Sequence, residues 1–215
     1  MKDLIIPTRK QLQEGIDAFN EKETRGYIYF LALDQINANW GSPSGMAQGI
    51  RVLLDAWHQA FYRFGKYEAD LITDCVKNNL KSVDRFKARS IVELSEDEEH
   101  GIKDIFNSFL DALKGGKRRS PVAVAKTLHL LAPEYFPLWD TDIAIAYGSW
   151  WVFSEFGAME YIPFCWKMKY IHRKVAKYRC VRQATPKRSV LKLVDEYNYS
   201  KYTKKWIAKD VGVRP

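Results

Sequence analysis

GGKRRSPVAVAKTLHLLAPEYFPLWDTDIAIAYG, residues 115–148, carries three helix boundaries in succession. Gly115 and Gly116 follow the apolar run Ile102, Ile105, Phe106, Phe109, Leu110 and Leu113, and stop the helix that this run predicts. Lys117, Arg118 and Arg119 make a basic turn. Ser120 then offers an N-cap and Pro121 suits the first helical position, so a second helix starts there. It is expected to end near Ala132, because Pro133 and Pro137 forbid a long continuation. The loop from Pro133 to Trp139 is apolar and aromatic and is expected to pack inward. Asp140 and Thr141 can cap a third helix beginning Asp142-Ile143-Ala144.

The same alternation of helix and break extends in both directions. Upstream, Thr8 can cap a helix carrying Leu12, Ile16 and Phe19 on one face. A helix from about Thr24 carries Tyr27, Ile28, Leu31, Ile36 and Trp40, and one beyond the Gly41–Gly45 turn carries Ile50, Leu53, Leu54, Trp57 and Phe61, ending at Gly65. Tyr67–Leu80 reads as a further amphipathic helix, with a short one around Val83–Arg89. Ser95-Glu96-Asp97-Glu98 reads as a capping box for the helix ending at Leu113, so that acidic run needs no metal to explain it, and His100 beside it is expected to be exposed. Downstream, helices are expected from Asp142 to about Phe156, from about Ala158 through Lys177 with a possible kink at Pro163, and around Val190–Tyr197. With no run of strand-like alternation, the fold class is all-α: a single domain of roughly nine or ten helices. Residues 1–163 form a body containing the hairpin-like segment 115–148, and residues 164–215 form basic, aromatic helices packed on the same domain.

Composition narrows the function. At 47% hydrophobic and 28% charged residues the chain has the balance of a globular protein rather than a disordered one. No apolar run approaches the ~20 residues that span a bilayer, and the short apolar segment in MKDLIIPTRK is no signal peptide, so no membrane partner and a cytoplasmic location are expected. Cys75, Cys165 and Cys180 show no C-x-x-C spacing and read as reduced, largely buried thiols. The net charge of +8 is unevenly distributed: residues 164–215 hold 15 Lys and Arg against 3 Asp and Glu, while the rest is mildly acidic. A basic quarter on an acidic body points to a polyanionic partner, most commonly nucleic acid. The same charge also reads as a solvated helix face.

No P-loop, dinucleotide fingerprint, H-E-x-x-H or EF-hand pattern is present, and His58, His100, His129 and His172 have no ligand spacing, so neither a metal nor another cofactor is expected. The positive signal is the opening stretch. A glycine turn between helices presents N–H groups and a helix N-terminus to phosphate, with Lys117, Arg118 and Arg119 adding charge. Lys126 and His129 share a helix face, and Asp140 follows one loop later, where it can fold back against that face. An amine beside a carboxylate suits imine-forming chemistry, the amine attacking carbon while the acid relays protons or stabilises positive charge. The bland alternative makes Asp140 an N-cap, Lys126 a surface lysine and His129 a packed imidazole.

Helix, glycine-bearing turn, helix and then FPLWDTDIAIAYG resembles the helix-hairpin-helix DNA glycosylase superfamily, over about 35 residues. The resemblance implies that Asp140 matches the family's catalytic aspartate and that Gly115 or Gly116 matches the hairpin glycines. The lysine of the lyase members stands between the positions of Lys117 and Lys126, Trp139 precedes the aspartate, and no G-x-G is present. No cluster-binding cysteines are present, which implies the cluster-free, 8-oxoguanine glycosylase-like branch. The function so implied is base-excision repair of double-stranded DNA, with an extruded base received among Trp139, Tyr135, Phe136 and His129. Asp140 would then support departure of the base and Lys126 serve as an optional nucleophile. Gly115, Gly116, Lys117, Arg118, Arg119, Lys167, Lys169, Arg173, Lys174, Lys204 and Lys205 are the expected nucleic-acid contacts. The rival expectation is a non-catalytic helical module that binds nucleic acid or a protein through its basic C-terminal quarter.

Overall fold

The computed structural model describes residues 4–58, 68–113, 119–149, 157–184 and 187–208. Among these there is no strand, and ten α-helices make the all-α fold: α1 (Arg9–Lys22), α2 (Tyr27–Ala38), α3 (Pro43–Trp57), α4 (Ala69–Lys87), α5 (Glu99–Ala112), α6 (Pro121–Leu131), α7 (Thr141–Ala146), α8 (Gly157–Val175), α9 (Arg179–Arg182) and α10 (Val190–Asn198). Two 3-10 turns lie between α4 and α5, and a π-helical turn (Tyr199–Thr203) extends α10. No described helix is long and apolar enough to cross a membrane.

Local chemistry sets these boundaries. Thr8 and Gln11 form a reciprocal capping box at α1. Ser120 accepts from the Ala123 N–H with Pro121 in the first turn of α6, and Asp140 accepts from the Ile143 N–H at α7. Gly148, with φ +82°, follows α7 in a backbone region that suits glycine. The predicted helix to Phe156 therefore stops at Ala146, and residues 150–156 lie outside the described set, as do 59–67, which hold the expected end of α3. The predicted break between Leu80 and Val83 does not occur. Neither Gly nor Pro interrupts Leu80-Lys81-Ser82-Val83, and α4 runs through it. The box at Ser95 and Glu98 caps a 3-10 turn that leads into α5, and His100 is exposed.

Helices α2 and α3 make the most extensive pair; α3 continues onto α4, α4 onto α5, and α5 onto α8. The pair α1 and α10 closes the other side, with α10 also touching α8. Helix α6 runs through the middle, against α2, α3 and α5. Cys75 and Cys165 are buried and Cys180 partly so, all as free thiols.

Candidate functional site

Every residue of α6 from Pro121 to Leu131 is buried except Lys126. A helix enclosed on all sides has no solvent face on which to place a charge, so a lysine there loses hydration and must find partners inside the molecule. Its ammonium donates to the Trp57 carbonyl at 2.6 Å. Burial pushes its pKa down to about 8, with Asp140 and Asp195 opposing the fall and Arg25 adding to it.

The side chain lines a narrow cleft enclosing about 40 Å³. Helix α1 supplies Phe19, the turn after it Glu23 and Arg25, and the end of α3 Trp57. Leu138, Trp139 and Asp140 come from the aromatic loop, and Asp195 and Tyr199 from α10 and its π-helical extension. Four segments separated in sequence thus converge on one amine. The rim is cross-tied: Arg25 donates to the Ala56 carbonyl (2.8 Å) and to Glu23 (3.2 Å), Trp57 Nε1 donates to the Arg25 carbonyl (3.2 Å), and Tyr199 donates to Glu23 (3.0 Å). Burial acts to raise the Glu23 pKa, but the hydrogen bonds from Arg25 and Tyr199 outweigh it and hold the carboxyl below its ordinary value.

Asp140 both caps a helix and faces the cleft. Oδ1 accepts from the Ile143 N–H at 2.8 Å, and Oδ2 from the Thr203 hydroxyl at 2.6 Å. Burial nonetheless raises its pKa, against those hydrogen bonds and the nearby Lys126. Asp195 is raised by burial too, with Lys192 as the main opposing influence. Lys192 is itself buried, 3.1 Å from Asp195 Oδ2 and 3.4 Å from Glu196 Oε1, and its ammonium sits over the rings of Phe19, Tyr29 and Trp57.

Of the residues expected to form the site, Lys126, Trp139 and Asp140 do meet at one cleft; Trp139 is 1% exposed and forms wall rather than rim. His129, Tyr135 and Phe136 do not reach it. His129 lies in the core, hydrogen-bonded to Tyr29 (3.0 Å) and the Phe136 carbonyl (2.7 Å). Tyr135 donates to Glu98 at 2.7 Å, and Phe136 packs against Phe86. The aromatic loop packs inward as its apolarity requires, which is why most of its rings are spent on the core.

Gly115, Gly116, Lys117 and Arg118 lie outside the described residues; Arg119 is exposed and pairs with Asp111 at 2.8 Å. Lys167 donates to the Tyr147 carbonyl, Lys169 to the Leu94 carbonyl and Arg173 to the Val92 carbonyl (2.9 Å), so these three tie α8 to neighbouring segments. Lys174, Lys204 and Lys205 are exposed.

Glu23, Arg25, Trp57, Asp195 and Tyr199 escaped the sequence reading. One signal was present: Asp195 and Glu196 are two of only three acids in the basic quarter, and an acidic pair there calls for a buried cation. No group of three or more metal-binding side chains occurs among the described residues. No protein-family model matches the chain, and no curated protein or solved structure does so either.

Proposed function

We propose that this protein is a cytoplasmic base-excision glycosylase of double-stranded DNA, with Lys126 as the amine that attacks the sugar carbon. The observation that carries this reading is the placement of Lys126. It is the only side chain of α6 outside the buried set, its amine is tuned to about pH 8, and it shares an aromatic-walled cleft with Asp140. Trp57, Tyr199 and Phe19 line the cleft and offer flat surfaces to an extruded base. Asp140 stabilises the positive charge that develops on the sugar as the base departs. The basic last quarter supplies the attraction to the DNA backbone.

Borohydride trapping on duplexes carrying an oxidised purine or an abasic site tests the reading. The full chain is expected to form a covalent adduct that Lys126→Met abolishes. Absence of adduct, nicking and base release across several lesions removes the enzymatic reading.

The non-catalytic alternative draws support from Asp140, whose two oxygens already serve Ile143 and Thr203. Under it, salt-sensitive DNA binding persists with no adduct, and Lys126→Met leaves the affinity unchanged.

A further inference from the structure

We propose that Asp195, and not Asp140, is the carboxylate that exchanges a proton with Lys126 in the cleft. The proposal deepens the glycosylase reading and rests on it for its substrate. Its grounds are geometric. Both oxygens of Asp140 accept hydrogen bonds from neighbouring groups, one from a backbone N–H and one from Thr203. Asp195 has Oδ2 engaged by Lys192, whereas Oδ1 accepts no hydrogen bond from the described residues, and the residue lines the cleft. The Lys192 ammonium is fixed by the carboxylates of Asp195 and Glu196 and by three aromatic rings, so Asp195 is held on a rigid mount at the cleft wall.

The titratable and charged groups around the pair are Glu23 and Arg25 from the α1–α2 turn, His58 at the end of α3, Asp140 from the aromatic loop, and Lys192, Glu196 and Tyr199 from α10 and its extension. Lys126 and Asp195 each feel the other's charge, and burial moves the lysine down and the aspartate up, which brings their proton equilibria closer together.

Electrons and protons balance with one proton exchanged between the pair. Lys126 and Asp195 make no direct ion pair in this structure, so the Lys126 ammonium passes its proton across the cleft to the Asp195 carboxylate, leaving a neutral amine. The amine lone pair forms a bond to C1′ of the nucleotide while the C1′–N bond to the base breaks. That bonding pair leaves with the base, which takes the proton back from Asp195. The products are a C1′-linked lysine ammonium, a neutral base and the regenerated carboxylate.

The reactive form therefore carries one proton between the two groups. Its population rises as Asp195 ionises and falls as Lys126 loses that proton near pH 8. The experiment measures pH profiles of the full chain in two reactions: single-turnover base release from lesion-bearing duplex, and imine formation at Lys126 with formaldehyde, reduced by cyanoborohydride and located by mass spectrometry. In the second reaction the same proton goes to the carbonyl oxygen, which leaves as water. Wild type is expected to show a falling limb above about pH 8 in both. Asp195→Asn is expected to lose that limb and about 100-fold in maximum rate, and Asp195→Glu to restore the limb. If Asp195→Asn fails to give a native melting transition, Lys192→Met/Asp195→Asn, which also removes the buried cation, takes its place.

A wild-type profile that rises monotonically through pH 8 overturns the proposal, as does an asparagine variant with an undiminished maximum. Silence of the DNA arm in every variant, with the Asp195 dependence intact in the formaldehyde arm, sinks the glycosylase reading and leaves the proton-transfer role standing. Active base release that Asp195→Asn leaves unchanged does the reverse. A Lys126 that forms no imine overturns both.

Discussion

His129 is 0% exposed and its two nitrogens have fixed duties. Nδ1 lies 2.7 Å from the Phe136 carbonyl, which can only accept, so Nδ1 carries the hydrogen; Nε2 then accepts from the Tyr29 hydroxyl at 3.0 Å. Burial, reinforced by Lys192 and opposed by the Phe136 hydrogen bond, brings its pKa from 6.5 down to about 3. His58, which sits 2.8 Å from Ser120, falls to about 4 for the same main reason, with Lys126 contributing. In each case the unfolded chain binds a proton at a pH where the folded chain does not. Stability is therefore full above about pH 6.5 and is lost as pH falls toward 3–4, by up to about 1.4 kcal/mol per pH unit for each histidine. Urea titrations at pH 7, 6 and 5 should show this decline, and His129→Gln should flatten its slope by close to one proton. Tyr29→Phe should cost about 1–3 kcal/mol at pH 7, since it leaves a buried imidazole nitrogen without its donor. The identity of His129 as a packed imidazole was one of two open readings of the sequence; the deciding fact, a tyrosine a hundred positions away, has no local trace.

At the scale of elements, α1 and α10 approach so closely that only glycine fits at position 15. A Cβ there would lie 2.8 Å from the Tyr197 Cα and 2.7 Å from its ring. The Ser200 hydroxyl donates to the Gly15 carbonyl at 2.8 Å across the same seam. Gly15→Ala forces backbone apart from backbone and should destabilise by about 1–3 kcal/mol in chemical denaturation. Because Asp195 rides on α10, the variant should also lower any amine reactivity of Lys126, whereas Gly41→Ala, in a surface turn, should leave that reactivity intact. Helix boundaries written in local chemistry were legible: Ser120 with Pro121, Asp140 and Thr8. So was the inward packing of the Pro133–Trp139 loop. The cleft was legible only in part, for a reason of the same kind. Lys126 and Asp140 are separated by one turn of chain and can be brought together by eye, but Glu23, Trp57 and Asp195 reach them through the pairing of α1 with α10 and the end of α3, contacts that no short-range pattern encodes.

At the scale of the whole molecule, the surplus of positive charge in the last quarter divides into two populations. Lys192 and Lys201 are buried, and Lys167, Lys169 and Arg173 hold backbone carbonyls, so these cations stabilise the fold. Lys174, Lys177, Arg179 and Arg182 are exposed along the end of α8 and through α9. Exposed cations such as these can release counterions from a polyanion without dismantling the protein, which makes a graded prediction possible. Each phosphate contact contributes about 0.9 to the slope of log affinity against log salt for duplex DNA. Replacing those four exposed residues with alanine should reduce the magnitude of the slope by about 3–4 and leave the melting temperature within a degree or two, because surface substitutions change stability by about 0.5 kcal/mol or less. Lys169→Ala should behave oppositely, lowering the melting temperature through the lost tether to Leu94 while scarcely altering the slope. Fluorescence anisotropy with a short duplex between 50 and 300 mM salt, paired with thermal melts, separates the two. Equal slopes for wild type and the fourfold variant would mean that DNA does not bind this face, and the charge on α8 and α9 would then have to be explained as solvation alone.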